Sequence, residues 1–483
     1  MPPAAQELVP RIGLEIHAEL ATRSKVFCAC STAPLAPPNT QTCPVCLGLP
    51  GTLPVLNRQA VEFALRVALA LGCRISEPAI FERKNYYYPD LPKNYQISQK
   101  RQPFGYGGSL EIAVGEGTRR VRITDVHLEE DTGKLLHPGG GAAESLVDFN
   151  RSGVPLLEVV GEPDLESVDE VMAYMTIMRS LLLYLGVSEA RMEEGQLRFE
   201  ANISVAPPGA ELGNRVEMKN LNSFRAVQRS LEYEIARQKE VVSEGGRVAR
   251  ETRLWDDARG VTEPMRSKEE AQDYRYFPEP DLVPVVVDAA WLERTRAALP
   301  ELPGARRERF GREYALPPYD AALLTSDRAL ADFFEQTVRL HREPKTVSNW
   351  VMGEMLRLLG DRGLEPAANP LTPGQLAGLL DLVSRGVISL RAAKGVFEAM
   401  FGTERQAADI VAEQGLTQIS DTSELEAIVD RVIAAHPQVV ADFQGGKERS
   451  LGFLIGQVMR HSQGRANPQL VGEILKRKLA GTG

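Results

Sequence analysis

Two hydrophobic periodicities divide this chain, and they constrain its fold more than any other feature. Up to about Val287, short runs alternate apolar with polar residues among many Gly, Pro, Asn and Tyr; after about residue 290, apolar residues recur three and four apart. Alternation puts every second side chain on one face of a strand, whereas the wider spacing marks the stripe of a helix. In Ile12-Gly-Leu-Glu-Ile-His17, Ile12, Leu14 and Ile16 face a core while Glu15 and His17 share the opposite face. Leu197 to Ile203 repeats the pattern with Arg198, Glu200 and Asn202 outward, and Val216 to Lys219 does so more briefly. From Arg119 to Asp131 the alternation changes phase between Ile123 and Val126, which predicts a β-bulge. Phe224, Val227, Leu231 and Ile235 predict a helix over 222–239. Strands mixed irregularly with helices favour an α+β fold over a doubly wound sheet.

Beyond residue 290, helix punctuation is explicit. Thr372-Pro373 starts a helix that Gly386 ends, Ser389 starts another, and Ser423 with Glu426 spells a capping box before a run stopped by Pro437. With 483 residues, and roughly 150 per domain, three domains are expected. The boundaries fall at 1–292 (α+β), 293–405 and 406–483 (both all-α).

Hydrophobic residues at 43% and charged residues at 25% exclude a wholly disordered chain and a small disulfide scaffold. No apolar run approaches the roughly 18 residues of a membrane span, and Met1-Pro2-Pro3 opens no secretory signal, so the expected location is cytoplasmic. Acidic residues outnumber basic ones 65 to 56, which excludes bulk electrostatic capture of nucleic acid as a whole-chain strategy. A local exception runs from Lys447 to the end, where seven basic residues face two glutamates, a net charge of +5. That segment reads as a phosphate-contacting surface or as a solvated helical face.

Four of the five cysteines form Cys28-x-Cys30 and, twelve residues on, Cys43-Pro-Val-Cys46-Leu-Gly48. Two close pairs separated by a loop suit tetrahedral Zn²⁺, with no coordination position left open, so the expected zinc is structural. Disulfides are the weaker reading in a cytoplasmic protein, and redox chemistry asks for one pair rather than two.

Polar strings supply a second constellation. His17 lies in Glu15-Ile-His-Ala-Glu19, and His127 in His127-Leu-Glu-Glu-Asp131; Asp148-Phe-Asn-Arg151 and Glu158 follow. A histidine and several carboxylates on one sheet face suit Mg²⁺ or Mn²⁺ beside nucleotide phosphates; solvated or ion-paired residues are the bland alternative. Arg83-Lys84-Asn85-Tyr86-Tyr87-Tyr88 offers rings and cations for stacking on a base, or for packing a turn against the sheet. Neither a Walker A string nor a Gly-rich dinucleotide fingerprint occurs.

These strings, with Glu217-Met-Lys-Asn-Leu-Asn-Ser-Phe224, Asp273-Tyr-Arg-Tyr-Phe-Pro-Glu-Pro-Asp-Leu282, Gly452-Phe-Leu-Ile-Gly-Gln-Val-Met459 and Gly464-Arg-Ala-Asn-Pro468, resemble the B subunits of bacterial aspartyl/glutamyl-tRNA amidotransferases. The resemblance spans nearly the whole chain. It implies a cradle domain with a mainly antiparallel, glutamine-synthetase-like sheet, then a helical domain and a helical tail contacting tRNA. It further implies ATP-dependent phosphorylation of the side-chain carboxylate of Glu-tRNA(Gln), Asp-tRNA(Asn) or both, then amidation by ammonia from a glutaminase A subunit that a C subunit supports. On the matching strings, His17, Glu129 or Glu130, and Glu158 are implied for Mg²⁺, with Glu15 close by and Glu200 a further candidate. Lys84, Asn150 and Arg151 are implied for phosphates, Lys219 for the acceptor end, and Arg460, Arg465, Lys476, Arg477 and Lys478 for tRNA. No amidase signature occurs, so glutamine hydrolysis belongs to a partner. The alternative is a non-catalytic, zinc-containing tRNA-binding scaffold.

Overall fold

A computed structural model describes residues 7–115, 117–136, 144–265, 273–419, 422–462 and 464–480. The chain divides into two compact units, residues 1–303 and 304–483.

The first unit contains β1 (Val9–Glu19), α1 (Arg58–Ala70), β2 (Arg74–Ile75), β3 (Glu82–Asn85), β4 (Tyr95–Ser98), β5 (Gly105–Val114), β6 (Gly117–Glu130), β7 (Lys134–Leu136) and β8 (Leu146–Asp148). It continues with β9 (Pro155–Gly161), α2 (Val168–Leu185), β10 (Leu197–Ala206), β11 (Val216–Lys219), α3 (Phe224–Ser243), β12 (Glu251–Asp256), β13 (Val261–Pro264), β14 (Phe277–Pro278) and α4 (Ala289–Ala297). Nine strands form one sheet in the order β13-β12-β11-β10-β1-β9-β6-β5-β2. Every pairing in it is antiparallel except β11–β12. The fold is therefore α+β with a mainly antiparallel sheet. Alternation in β1 works as its sequence predicts: Ile12, Leu14 and Ile16 are fully buried. They join the core formed with α1, α2 and α3, which pack on one sheet face. Burying each such side chain contributes about 1.5–3 kcal/mol.

The opposite face keeps the polar half of each strand. The predicted bulge is present, as a register shift in the β6–β9 pairing between Ile123 and Asp125. It lets Arg122 and Thr124 point outward before the bulge and His127 and Glu129 after it, while Val126 and Leu128 return to the core. Gly13 keeps β1 close to the end of β9 on this face, where a Cβ would make a tight 3.1 Å contact with Gly161 O. A smaller sheet, β14-β3-β4, adjoins the end of β6. Its Gln96 side chain donates to Glu130 O at 2.7 Å, and Leu128 N donates to the Gln99 side chain at 3.1 Å.

The expected boundary at 292 falls inside α4. The first unit runs on to Pro303 because α4 docks on α1, with Trp291 Nε1 and Thr295 Oγ1 donating to Glu62 at 2.6 and 3.1 Å.

The second unit is helical: α5 (Pro303–Tyr314), α6 (Pro318–Leu324), α7 (Arg328–His341), α8 (Pro344–Trp350), α9 (Leu356–Asp361), α10 (Pro373–Ser384), α11 (Leu390–Met400), α12 (Ala407–Glu413), α13 (Thr422–Ala435), α14 (Pro437–Gln444), α15 (Arg449–His461) and α16 (Pro468–Ala480). One apolar cluster spans Phe310 to Val411 and a second spans Ile419 to Leu479. Thr372 caps α10 through a full capping box with Gln375, and Ser389 caps α11. α13 already begins at Thr422, so Ser423 lies in its first turn instead of capping it. No helix among the described residues is long and apolar enough to cross a membrane.

Candidate active site

Antiparallel register assembles the polar face into rows. His17 on β1 pairs with Arg198 on β10 and with Glu158 on β9, and Glu158 pairs in turn with His127 on β6. In the neighbouring row, Glu15 pairs with Glu200. Opposed residues stand about 4.5–5.5 Å apart at Cβ, close enough for charged side chains to converge. His17 Nε2 lies 3.3 Å from Glu158 Oε2 and 4.0 Å from Glu129 Oε1. His127 Nε2 lies 2.9 Å from the same Glu158 oxygen, and its Nδ1 is 2.7 Å from Asp125 Oδ1. His17, Glu129 and Glu158 each offer a ligand atom, all mutually within 4.8 Å.

The electrostatics follow from this packing. Burial alone would raise Glu158, but the flanking imidazoles outweigh it and hold its carboxyl well below the usual range. Burial pushes His17 and His127 down, and the surrounding carboxylates more than reverse this, raising both. Glu15 is raised by burial and by Glu158 and Glu200, although Asn202 donates to it at 2.8 Å. Glu19 is pushed up to about 8 by burial and by Asp131. Two hard carboxylates and an imidazole in a pocket of excess negative charge suit a divalent cation.

Of the two adjacent acids, Glu129 joins His17 and Glu158, accepting from Ser98 Oγ at 3.1 Å. Glu130 points to the other side, where Lys93 and the Ile97 amide hold it. Lys84 is raised because Glu129 and Glu158 outweigh its burial, and its ammonium lies over the Tyr274 and Tyr86 rings at 5.1 and 5.8 Å. Tyr86 packs edge-on against Tyr274, whereas Tyr87 and Tyr88 are exposed. Lys219 bridges Glu200 and Glu217 at 3.1 and 3.2 Å, two strands from β1.

Asn150 and Arg151 are not in the carboxylate cluster. The Asn150 amide donates to Pro37 O at 2.7 Å and accepts from Gln41 N at 2.8 Å, holding the loop between the cysteine pairs. Arg151 donates to Thr132 O and Gly133 O at 3.1 and 2.8 Å, beside Asp131.

Cys28, Cys30, Cys43 and Cys46 form the second cluster, again with ligand atoms within 4.8 Å. The Cys46 thiol is lowered to about 4, first by its bond from Cys28, while Cys28 is raised by donating that bond. Cys30 is raised to about 11 by burial and by Cys43. Four soft thiols so close together fit Zn²⁺. The fully buried Lys25 places its ammonium 3.6 Å from Cys46 Sγ.

In the basic tail, Arg460 and Lys476 are exposed. Arg477 pairs with Glu426, Lys478 with Asp430 at 2.7 Å, and the Arg465 guanidinium donates to Ser462 O at 3.4 Å. Sequence reasoning placed His127 in its acidic string without a role, and gave none to Asp125, Lys25 or Lys93. The signal for His127 was the phase change at the bulge, which turns it to the face of His17.

One face of a mainly antiparallel sheet thus carries a histidine–carboxylate cluster able to hold a cation, in the same unit as four cysteines that could bind a metal. The comparisons place the chain further. Residues 10–293 match the GatB/GatE catalytic domain and residues 332–479 the GatB domain. The chain belongs to the GatB/GatE family. A protein of Moorella thermoacetica is 58% identical over 97% of this chain and 99% of its own length. Others from Carboxydothermus hydrogenoformans and Myxococcus xanthus are 54% and 52% identical, each covering 97% of this chain and 98% of the relative. All three carry the name of the B subunit of aspartyl/glutamyl-tRNA(Asn/Gln) amidotransferase.

Proposed function

We propose that the chain is the tRNA-dependent subunit of an amidotransferase, acting on Glu-tRNA(Gln), Asp-tRNA(Asn) or both in the cytoplasm. It works with a glutaminase A subunit and a C subunit. The observation that carries the reading is the convergence of His17, Glu129 and Glu158 on one sheet face, in a chain more than half identical to proteins of that name.

A carboxylate resists attack by ammonia because its leaving group would be oxide. Attack by a carboxylate oxygen of the aminoacyl side chain on the γ-phosphorus of ATP expels ADP and makes an acyl phosphate. Ammonia then adds to the acyl carbon, phosphate departs with the C–O bond electrons, and the surplus proton passes to solvent. His17, Glu129 and Glu158 would hold Mg²⁺, which when bound offsets charge on the phosphoryl oxygens. Lys84, kept charged by the acids beside it, brings a cation to the same oxygens. Lys219, held by Glu200 and Glu217, presents a fixed ammonium toward the acceptor end, and Glu15 keeps that region acidic. Glu130 anchors Lys93 rather than the metal. Cys28, Cys30, Cys43 and Cys46 hold structural Zn²⁺. Arg460, Arg465 and Lys476 meet tRNA phosphates, joined by Arg477 and Lys478 where their surface ion pairs open.

The test uses the chain purified with its A and C partners, γ-labelled ATP and Glu-tRNA(Gln), with Gln-tRNA(Gln) as control. Phosphate release should require the misacylated tRNA and vanish in His17→Ala while tRNA binding persists. Release that is independent of tRNA, or untouched in His17→Ala, would return the chain to the scaffold reading.

A further inference from the structure

The interaction that most constrains Glu158 comes from a residue with no role so far. Glu158 sits on β9, between β1 and β6, and its hydrogen-bonding partners among the described residues are the two imidazoles that face it across the sheet. His127 is the nearer, at 2.9 Å against 3.3 Å for His17. His127 is itself held at the far end, because Asp125 accepts its Nδ1–H at 2.7 Å. Asp125 and His127 are two residues apart on one strand, so both project from the same face beyond the bulge. A carboxylate is an acceptor only, so a ring that bonds both acids carries a hydrogen on each nitrogen, Nδ1–H toward Asp125 and Nε2–H toward Glu158.

We propose that His127, oriented by Asp125, is a positioning residue that fixes the Glu158 carboxylate in the geometry required for cation binding. The inference rests on the reading that His17, Glu129 and Glu158 bind a divalent cation. The physical reason is rotational: a lone Glu on a strand samples several rotamers, and a single partner leaves it free to swing about that bond. Two imidazoles on opposite sides remove that freedom before the cation arrives. Partners of this kind, one shell out from a metal ligand, typically change metal affinity by about 10–100-fold when removed.

Mn²⁺ binding to the full chain, followed by the loss of the free-ion electron paramagnetic resonance signal, tests this without ATP or tRNA. His127→Ala should weaken Mn²⁺ binding by about 10–100-fold and Asp125→Ala by about tenfold, with near-ultraviolet circular dichroism unchanged. His127→Gln, whose amide nitrogen reaches the position of Nε2, should recover most of the affinity. A residue that only supports the fold would lower the melting temperature and leave the affinity of the folded chain alone. Should His127→Ala fail to fold, the partly exposed Asp125 still carries the test. Wild-type affinity in both alanine variants, with His17→Ala abolishing binding, overturns the positioning role alone. Unchanged affinity in His17→Ala removes the cation site and this inference with it.

Discussion

Glu129 and Glu130 are adjacent, both acidic and both buried, yet the sheet gives them opposite work, and replacing each by glutamine should separate the two jobs. Glu130 accepts from the Ile97 amide at 2.8 Å and from Lys93, whose side chain is 8% exposed. Glu130→Gln keeps an acceptor for the amide but leaves the buried ammonium unpaired, which costs about 3–5 kcal/mol. For a unit of some 300 residues that corresponds to a melting temperature lower by roughly 6–10 °C, at about 2 °C per kcal/mol. Glu129 accepts a single neutral bond from Ser98 and faces the like charge of Glu158. Glu129→Gln retains the bond and removes the repulsion together with the attraction to Lys84 and His17, effects of opposite sign, so it should destabilise less than Glu130→Gln. Cation binding should show the reverse order, lost in Glu129→Gln and kept by folded Glu130→Gln. Differential scanning calorimetry and Mn²⁺ titration of the two variants read both quantities. Equal destabilisation by the two, or cation binding that survives in Glu129→Gln and fails in Glu130→Gln, would refute the assignment of the metal ligand to the outward face of β6.

In the second unit, burial would raise Asp320, but its bonds from Lys345 and Ser348 outweigh this and lower it. A depressed carboxyl contributes stability that is present above its unfolded value near pH 4 and is lost as pH falls through the folded value. Asp320→Asn should therefore cost about 1–3 kcal/mol at pH 7, with the melting gap to the parent closing below about pH 4; a gap constant down to pH 3 would contradict the sign. In the tail, Arg460→Ala and Lys476→Ala should each reduce the slope of log affinity for tRNA against log salt by about one. Arg477→Ala and Lys478→Ala each break an exposed pair to α13 and should change stability by less than about 1 kcal/mol; filter binding over a salt series and thermal melts check both.

Period-two patterning in β1 and β10 was enough to place Glu15, His17, Arg198 and Glu200 on one face, because those strands run without interruption. β6 was legible in a different way, since its bulge announced itself as a phase error between Ile123 and Val126. What periodicity could not supply was the order of strands in the sheet. That β9 inserts between β1 and β6, bringing Glu158 between two histidines more than a hundred residues apart, is a long-range pairing with no local signature. The choice between Glu129 and Glu130 lay in the phase of β6, since Val126 and Leu128 turned to the core leave His127 and Glu129 on the opposite face and Glu130 off it. The polar string at Asn150 and Arg151 could not show that both side chains bond the backbone of neighbouring loops.

Residues 148–153 join the cysteine cluster to the acidic face, and the bonds run in both directions. Toward the cysteines, Val26 N donates to Gly153 O at 2.9 Å, Lys25 Nζ to Phe149 O at 3.3 Å, and Ser152 Oγ to Cys46 O at 3.4 Å. Toward the sheet, Gly153 N donates to Asp131 O at 2.9 Å and Arg151 clasps Thr132 and Gly133. Asp131 then accepts from Arg198 at 2.8 Å, the cross-strand partner of His17. A metal holding the four sulfurs therefore fixes one end of a short hydrogen-bonded path whose other end is the candidate active site. A Cys28→Ser, Cys43→Ser double variant should hold no zinc by elemental analysis, leave Cys46 with Lys25 as its remaining cation, and melt at a lower temperature. With Mg²⁺ in excess, its tRNA-dependent phosphate release should also fall, although no cysteine touches the reacting groups. Full turnover in the zinc-free variant at a temperature where it is folded would show that the path transmits nothing, and that the cluster serves its own loop alone.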